Sequence, residues 1–141
     1  MTAPSSERIH ASCVAIGGRA VLLAGPSGVG KSDLALRLID RGATLVSDDY
    51  TVVTRDGERA LASAPGTICG KIEVRGVGIV AIESEEQVEV ALLLLLDEQV
   101  QRLPEPETRI LAGVPIPAIA FAPFEGSAPI KVELALKALS P

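Results

Sequence analysis

At 141 residues the chain has room for one domain with a real core. Hydrophobic residues make up 48% of it and its mean hydropathy is +0.37, yet it holds two Phe, one Tyr and no Trp, so that core must be aliphatic. A net charge of −5, with no cluster of Lys and Arg and no interleaved aromatics, argues against a nucleic-acid partner, whose phosphates need grouped cations.

Met1 to Glu7 reads as a loose start, with order beginning near Ile9. The chain divides into a flexible N-terminus, residues 1–9, and a single domain, residues 10–141. No apolar signal region precedes the domain, and the run Val90 to Leu96 is too short to span a bilayer. Cys13 and Cys69 are isolated thiols without C-x-x-C spacing or a histidine cluster, which argues against zinc and against a disulfide framework and reads as two small buried hydrophobes. A reducing, cytoplasmic setting with no membrane partner is expected.

His10 to Ile16 predicts a strand turned by Gly17-Gly18 into the apolar run Ala20 to Ala24, a hairpin. Next comes Gly25-Pro26-Ser27-Gly28-Val29-Gly30-Lys31-Ser32, which fits G-x-x-x-x-G-K-[ST]. Such a loop curls so that successive N–H groups face phosphate oxygens, while Lys31 reaches the β and γ phosphates and Ser32 offers its hydroxyl to Mg²⁺. Leu34, Leu38 and Ile39 recur at helical spacing through Asp33 to Arg41, and Gly42 stands where a helix stop belongs. The positive end of that helix would add to the anion site.

Thr44 to Ser47 predicts a buried strand with Asp48 and Asp49 at its end, opposite the loop. Phosphoryl transfer needs carboxylates there, one to orient Mg²⁺ or its waters and one to face the acceptor hydroxyl; a solvated turn is the plainer alternative. Thr51 to Thr54 reads as a strand ending in the turn Arg55 to Glu58, Ala64 to Gly70 as loop, and Lys71 to Ile82 as a strand interrupted by Gly76 and Gly78. Within it, Glu73 could complete a metal site and Arg75 could offset phosphate charge, although on composition alone a surface ion pair is the commoner arrangement. His10, the single histidine, is on the same grounds more often structural.

Val88 to Leu96 could be a core strand or a buried helix segment, and its valines favour strand. Arg102 to Pro123 carries five prolines, which excludes regular helix over most of it. Phe121 and Phe124 read as exposed there, as a docking surface, an oligomer contact or ordinary loop packing. Ser127 can cap a final helix with Pro129 in its first turn and Ile130, Leu134 and Leu136 facing inward.

Four segments in one order resemble the HPr kinase/phosphorylase family: His10 to Val14, the Gly25 to Ser32 loop, Leu45 to Asp49, and Ile72 to Ile79. The resemblance implies an α/β phosphate-loop (Walker A) fold similar to phosphoenolpyruvate carboxykinase, a mixed sheet with flanking helices. It implies an ATP- and Mg²⁺-dependent protein-serine kinase acting on the phosphocarrier HPr within the phosphotransferase system, assembled as a hexamer. In these terms Asp48 is the base, His10 assists it, Lys31 contacts the phosphates, Arg102 is a catalytic arginine, and Ser32 and Glu73 are the Mg²⁺ ligands, which leaves Asp49, the other carboxylate of the pair, to the metal side. Only nine residues precede His10, which suggests a form without the family's N-terminal domain. Pro117 to Gly126 lacks the basic Arg-Pro-Gly-Arg loop associated with the reverse reaction, so phosphorolysis is expected to be weak or missing. A small-molecule phosphate-loop kinase or hydrolase, and a non-catalytic nucleotide sensor, are the competing readings.

Overall fold

The structure is a computed structural model and describes residues 5–139. The hairpin before the loop forms as β2 (Ala11–Ile16) and β3 (Arg19–Ala24), antiparallel and joined through Gly17-Gly18. Side chains along β3 alternate between two cores: Ala20 and Leu22 face one, Val21 and Leu23 the other. Both faces of these central strands are therefore covered, which accounts for their unbroken apolar runs.

Helix α1 (Lys31–Asp40) follows the loop and buries Leu34, Ala35 and Leu38 on the second core. Its C-terminus closes as a Schellman motif, with Ala43 N–H on the Leu38 carbonyl at 3.1 Å and Gly42 N–H on the Ile39 carbonyl at 3.0 Å. Gly42 has φ of +109°, a conformation that a Cβ would strain. Strand β4 (Thr44–Ser47) then pairs antiparallel with β2 and so runs parallel to β3.

Strand β1 (Ser6–Ile9) pairs with β5 (Thr51–Asp56), and β5 pairs with β6 (Arg59–Ser63). Order thus reaches back to Ser6, because backbone groups of the acidic, polar start complete an edge that β5 exposes; residues 1–4 of the expected loose start lie outside the described residues. The segment read as one interrupted strand is instead a separate hairpin, β7 (Lys71–Val74) and β8 (Gly78–Ala81), since the turn at Gly76 reverses the chain.

The aliphatic run becomes β9 (Val88–Leu95), parallel to β3. Beyond it, the proline-rich stretch holds two strands that proline content alone concealed, β10 (Glu107–Leu111) and β11 (Val114–Ala120). Pro115 and Pro117 are tolerated because β11 has β10 as its one ladder there and meets β9 only from Ala118 onward. Among the described residues, these strands form a curled nine-stranded sheet whose central order is β11-β9-β3-β2-β4. Its inner face carries many small side chains, Ala11, Cys13, Ala15, Ala20, Ala60 and Ala62 among them, which leave room for the sheet to curl.

Helix α2 (Ala128–Ala138) packs on the outer core beside α1. It buries Ala128, Pro129, Val132 and Leu136, whereas Ile130 and Leu134 are exposed, so only Leu136 of the three expected inward residues is correct. Ser127 occupies the N-cap position without a side-chain cap bond. Arg41 and Glu133 tie the two helices through two hydrogen bonds of 3.0 and 2.7 Å. Cys13 is buried as expected, and burial pushes its thiol pKa far up, whereas Cys69 is exposed against expectation, with its thiol on Glu86 at 3.4 Å. No helix of the described residues is long and apolar enough to cross a membrane.

Candidate active site

Because β3, β4, β9 and β11 run in the same direction, their C-terminal ends share one edge of the sheet. Ligand crevices in parallel α/β sheets form at that edge, and there the Gly25 to Ser32 loop leaves β3. Its backbone is braced by Gly25 N–H on the His10 carbonyl (3.2 Å) and Val29 N–H on the Pro26 carbonyl (3.3 Å). Gly30 stands at the N-terminus of α1 with φ of +105°, and a Cβ there would lie 2.9 Å from Phe124 Cζ. A cavity of about 830 Å³ opens over the loop, bounded by Gly28, Lys31, Asp48, Glu73, Arg75 and Phe124 among others.

Lys31 is only 4% exposed. Its ammonium meets the Pro26 carbonyl at 3.0 Å and Asp49 Oδ1 at 3.3 Å, so the buried charge has one partner of opposite sign and one dipole. His10 Nε2 lies 2.9 Å from the same Asp49 oxygen. With Nε2 protonated, the ring donates to Asp49, and Lys31 Nζ, 3.4 Å from that nitrogen, is a neighbour rather than a donor to it. His10 and Lys31 thus converge on one Asp49 carboxylate oxygen, and Asp49, 46% exposed, keeps access to the cavity.

Asp48 is held differently. Oδ1 accepts from Ser12 Oγ (3.0 Å) and Ser32 Oγ (2.5 Å), and Oδ2 accepts from the Glu73 N–H (2.9 Å). It is buried, and it links three elements: β2 through Ser12, α1 through Ser32 and β7 through Glu73. The two adjacent carboxylates point apart because Asp49 has φ of +68°, an uncommon conformation that a short polar residue tolerates. Ser12 fixes that turn by accepting the Asp49 N–H at 3.0 Å.

Among the described residues there is no cluster of three or more His, Cys, Asp or Glu able to cage a metal. The donors present, the Ser32 hydroxyl with Asp48 behind it and Glu73 on the cavity wall, suit a cation that keeps waters and shares phosphate oxygens, which is how Mg²⁺ binds.

Of the residues singled out from sequence, the loop, His10, Asp48, Asp49 and Glu73 come together here. Arg102 does not: it lies exposed between β9 and β10 and does not line the cavity. Phe124 is exposed at 70%, but Phe121 is buried in the core under the two helices, so the two do not form one surface patch. Three residues of the site escaped sequence reading. Ser12, the hydroxyl in an otherwise apolar strand, was the one local signal. Tyr50 stacks on the His10 ring with centroids 4.6 Å apart and planes 8° apart, and the Arg8 guanidinium covers Tyr50 at 4.4 Å.

The family model for the HPr Serine kinase C-terminal domain matches residues 2–90. The chain is 36% identical to the HPr kinase/phosphorylase of Chlorobium phaeobacteroides strain BS1, over 80% of this chain and 38% of that protein. It is likewise 36% identical to the HPr kinase/phosphorylase of Chlorobaculum tepidum, over 85% of this chain and 40% of that one. It therefore spans about 40% of the length of these curated relatives. In three dimensions it resembles the Hpr(Ser) kinase/phosphatase of Coxiella burnetii with a TM-score of 0.79 at 28% identity, covering 94% of this chain and 89% of that one. With the loop and the paired aspartates on one cavity and the histidine bonded to Asp49, and with the family match over more than half its length, the chain belongs to the HPr serine kinase C-terminal domain family.

Proposed function

We propose that this chain is an ATP- and Mg²⁺-dependent kinase domain that phosphorylates a serine of an HPr-type phosphocarrier protein. The observation that carries the reading is the convergence of His10 and Lys31 on Asp49 beside the glycine-rich loop. In this reading the loop amides and Lys31 hold the nucleotide phosphates, as in other phosphate-loop folds.

Asp49 takes the proton of the acceptor hydroxyl while the serine oxygen bonds to the terminal phosphorus and the bond to the departing diphosphate breaks. The geometry favours Asp49 over Asp48 for this role, the reverse of the expectation from family resemblance. Both aspartates line the cavity, but Asp48 is buried with both of its oxygens engaged by Ser12, Ser32 and the Glu73 N–H, whereas Asp49 is half exposed there. Asp48 instead keeps Ser32 and the Glu73 backbone in place, and Asp49 leaves the metal side for the acceptor side. Ser32 and Glu73 would hold the Mg²⁺, whose contribution is to offset charge on the transferring phosphoryl group. His10 keeps Asp49 oriented, and Tyr50 and Arg8 keep His10 in plane.

The same reading makes phosphorolysis weak. The guanidinium nearest the Pro117 to Gly126 stretch, Arg37, is engaged by the Pro123 and Glu125 carbonyls and by Asp33, which leaves it poorly placed to hold an incoming phosphate. A cytoplasmic setting and a homo-oligomer, a hexamer by family resemblance, go with the proposal. Light scattering on the purified chain tests the assembly.

The test of the function is transfer from γ-labelled ATP with Mg²⁺ to HPr from the same organism, with small-molecule acceptors and water as competitors. Label on an HPr serine is the expected result. Label released only as free phosphate, or found only on a small molecule, would replace the proposal with one of the competing enzyme readings.

A further inference from the structure

Phe124 is one of two phenylalanines in the chain and sits 70% exposed on the rim of the active-site cavity. Single exposed apolar side chains are ordinary, and what sets Phe124 apart is its place on the cavity rim against the phosphate loop. The turn that carries it is well braced: Arg37 bonds the carbonyls on both sides of it, at Pro123 and Glu125, and Glu125 pairs with Lys131 at 2.6 Å. Its ring is pressed on Gly30, close enough that any side chain there would collide with it.

Topology fixes which side of the loop this is. In the order β11-β9-β3-β2-β4, the loop leaves the central β3, the aspartates follow β4 two strands away on one side, and Phe124 follows β11 two strands away on the other. Lys31 and Asp49 mark the end where the reacting phosphate belongs. The rest of a nucleotide must then leave the loop on the opposite side, across the first turns of α1, where Asp33, Leu36 and Phe124 line the cavity. Asp33 is engaged by Arg37, so the wall offered there is Leu36 and the Phe124 ring.

We propose that Phe124 is the platform on which the base of a bound nucleoside triphosphate stacks. This rests on the reading of the Gly25 to Ser32 loop as a phosphate site and adds where the base goes. A purine face on a phenyl ring contributes affinity without any hydrogen-bond code.

The test is calorimetric titration of the full chain with two probes in the presence of Mg²⁺: ATP, and inorganic tripolyphosphate, which has phosphates and no base. The wild type is expected to bind ATP more tightly than tripolyphosphate. Phe124→Ala is expected to weaken ATP about tenfold and leave tripolyphosphate unchanged. Phe124→Leu, apolar without a flat face, should behave like the alanine variant, and Phe124→Trp should bind ATP at least as well as the wild type. Equal loss for both probes in Phe124→Ala, or unchanged ATP affinity, overturns the platform and leaves the phosphate site standing. Failure of the wild type to bind either probe overturns the phosphate reading itself, and the platform with it.

Discussion

Replacing Asp48 by asparagine separates the two aspartates, because the variant keeps the shape and exchanges one acceptor for a donor. Three donors converge on Asp48: the hydroxyls of Ser12 and Ser32 on Oδ1, and the Glu73 N–H on Oδ2. If the new amide nitrogen faces Glu73, two N–H groups confront each other and a bond is lost. If it faces the serines, their hydroxyls must turn, and Ser12 already accepts the Asp49 N–H. Losing a hydrogen bond to a charged, buried acceptor and leaving a donor unsatisfied costs about 2 to 3 kcal/mol. At this chain length that is a fall in melting temperature of roughly 6–9 °C. Asp49→Asn is the comparison: Lys31 loses its counter-charge, but the amide oxygen can still accept from Lys31 and His10 and the side chain is half exposed, so the expected cost is smaller, about 1 to 2 kcal/mol. Differential scanning calorimetry at pH 7 reads both. The reasoning is refuted if Asp48→Asn melts within about 2 °C of the wild type, or if Asp49→Asn melts lower than Asp48→Asn.

Gly30→Ala places a Cβ 2.9 Å from Phe124 Cζ at a φ of +105°, so ATP affinity by calorimetry should fall by about tenfold or more; wild-type affinity would contradict the packing described. Glu133 carries a lowered pKa because Arg41 hydrogen-bonds it. Its contribution is therefore present above the ordinary glutamate range and lost as pH falls through the lowered value. Glu133→Gln should melt slightly below the wild type at pH 7 and match it in strong acid, as followed by thermal scans; a difference that persists in acid would show the cause is not the ion pair. Cys69, raised by its bond to Glu86, should react with a thiol reagent at pH 8 more slowly than a free cysteine, and faster in Glu86→Gln, while Cys13 stays silent until the chain unfolds.

What could be read from sequence was what is local. The hairpin before the loop, α1 with its Gly42 stop, and the strand leading to Asp48 each announce themselves through a short period or a turn signal, and all three form where expected. Strands β10 and β11 were hidden because proline penalises a strand only where an N–H must enter a ladder, and β11 has few such places. On α2, Ile130 and Leu134 share a face by spacing, but the outer core meets Val132 and Leu136 instead. The Arg8–Tyr50–His10 stack depends on β1 pairing with β5, a contact between residues more than forty apart, so neither neighbour marks it. The division of labour between Asp48 and Asp49 is set by one positive φ, which two identical letters in a row do not reveal.

Single-turnover transfer from saturating ATP to HPr, measured for wild type, Asp49→Asn and Asp48→Asn with ATP binding checked in each, tests most directly the claim that Asp49 is the acid–base group. Asp49→Asn is expected to bind ATP and to lose transfer by about 10²- to 10⁴-fold, the range of a positioned general base. Transfer by Asp49→Asn at the wild-type rate would contradict it, and would do so most plainly if Asp48→Asn, still folded and binding ATP, were the variant that lost transfer.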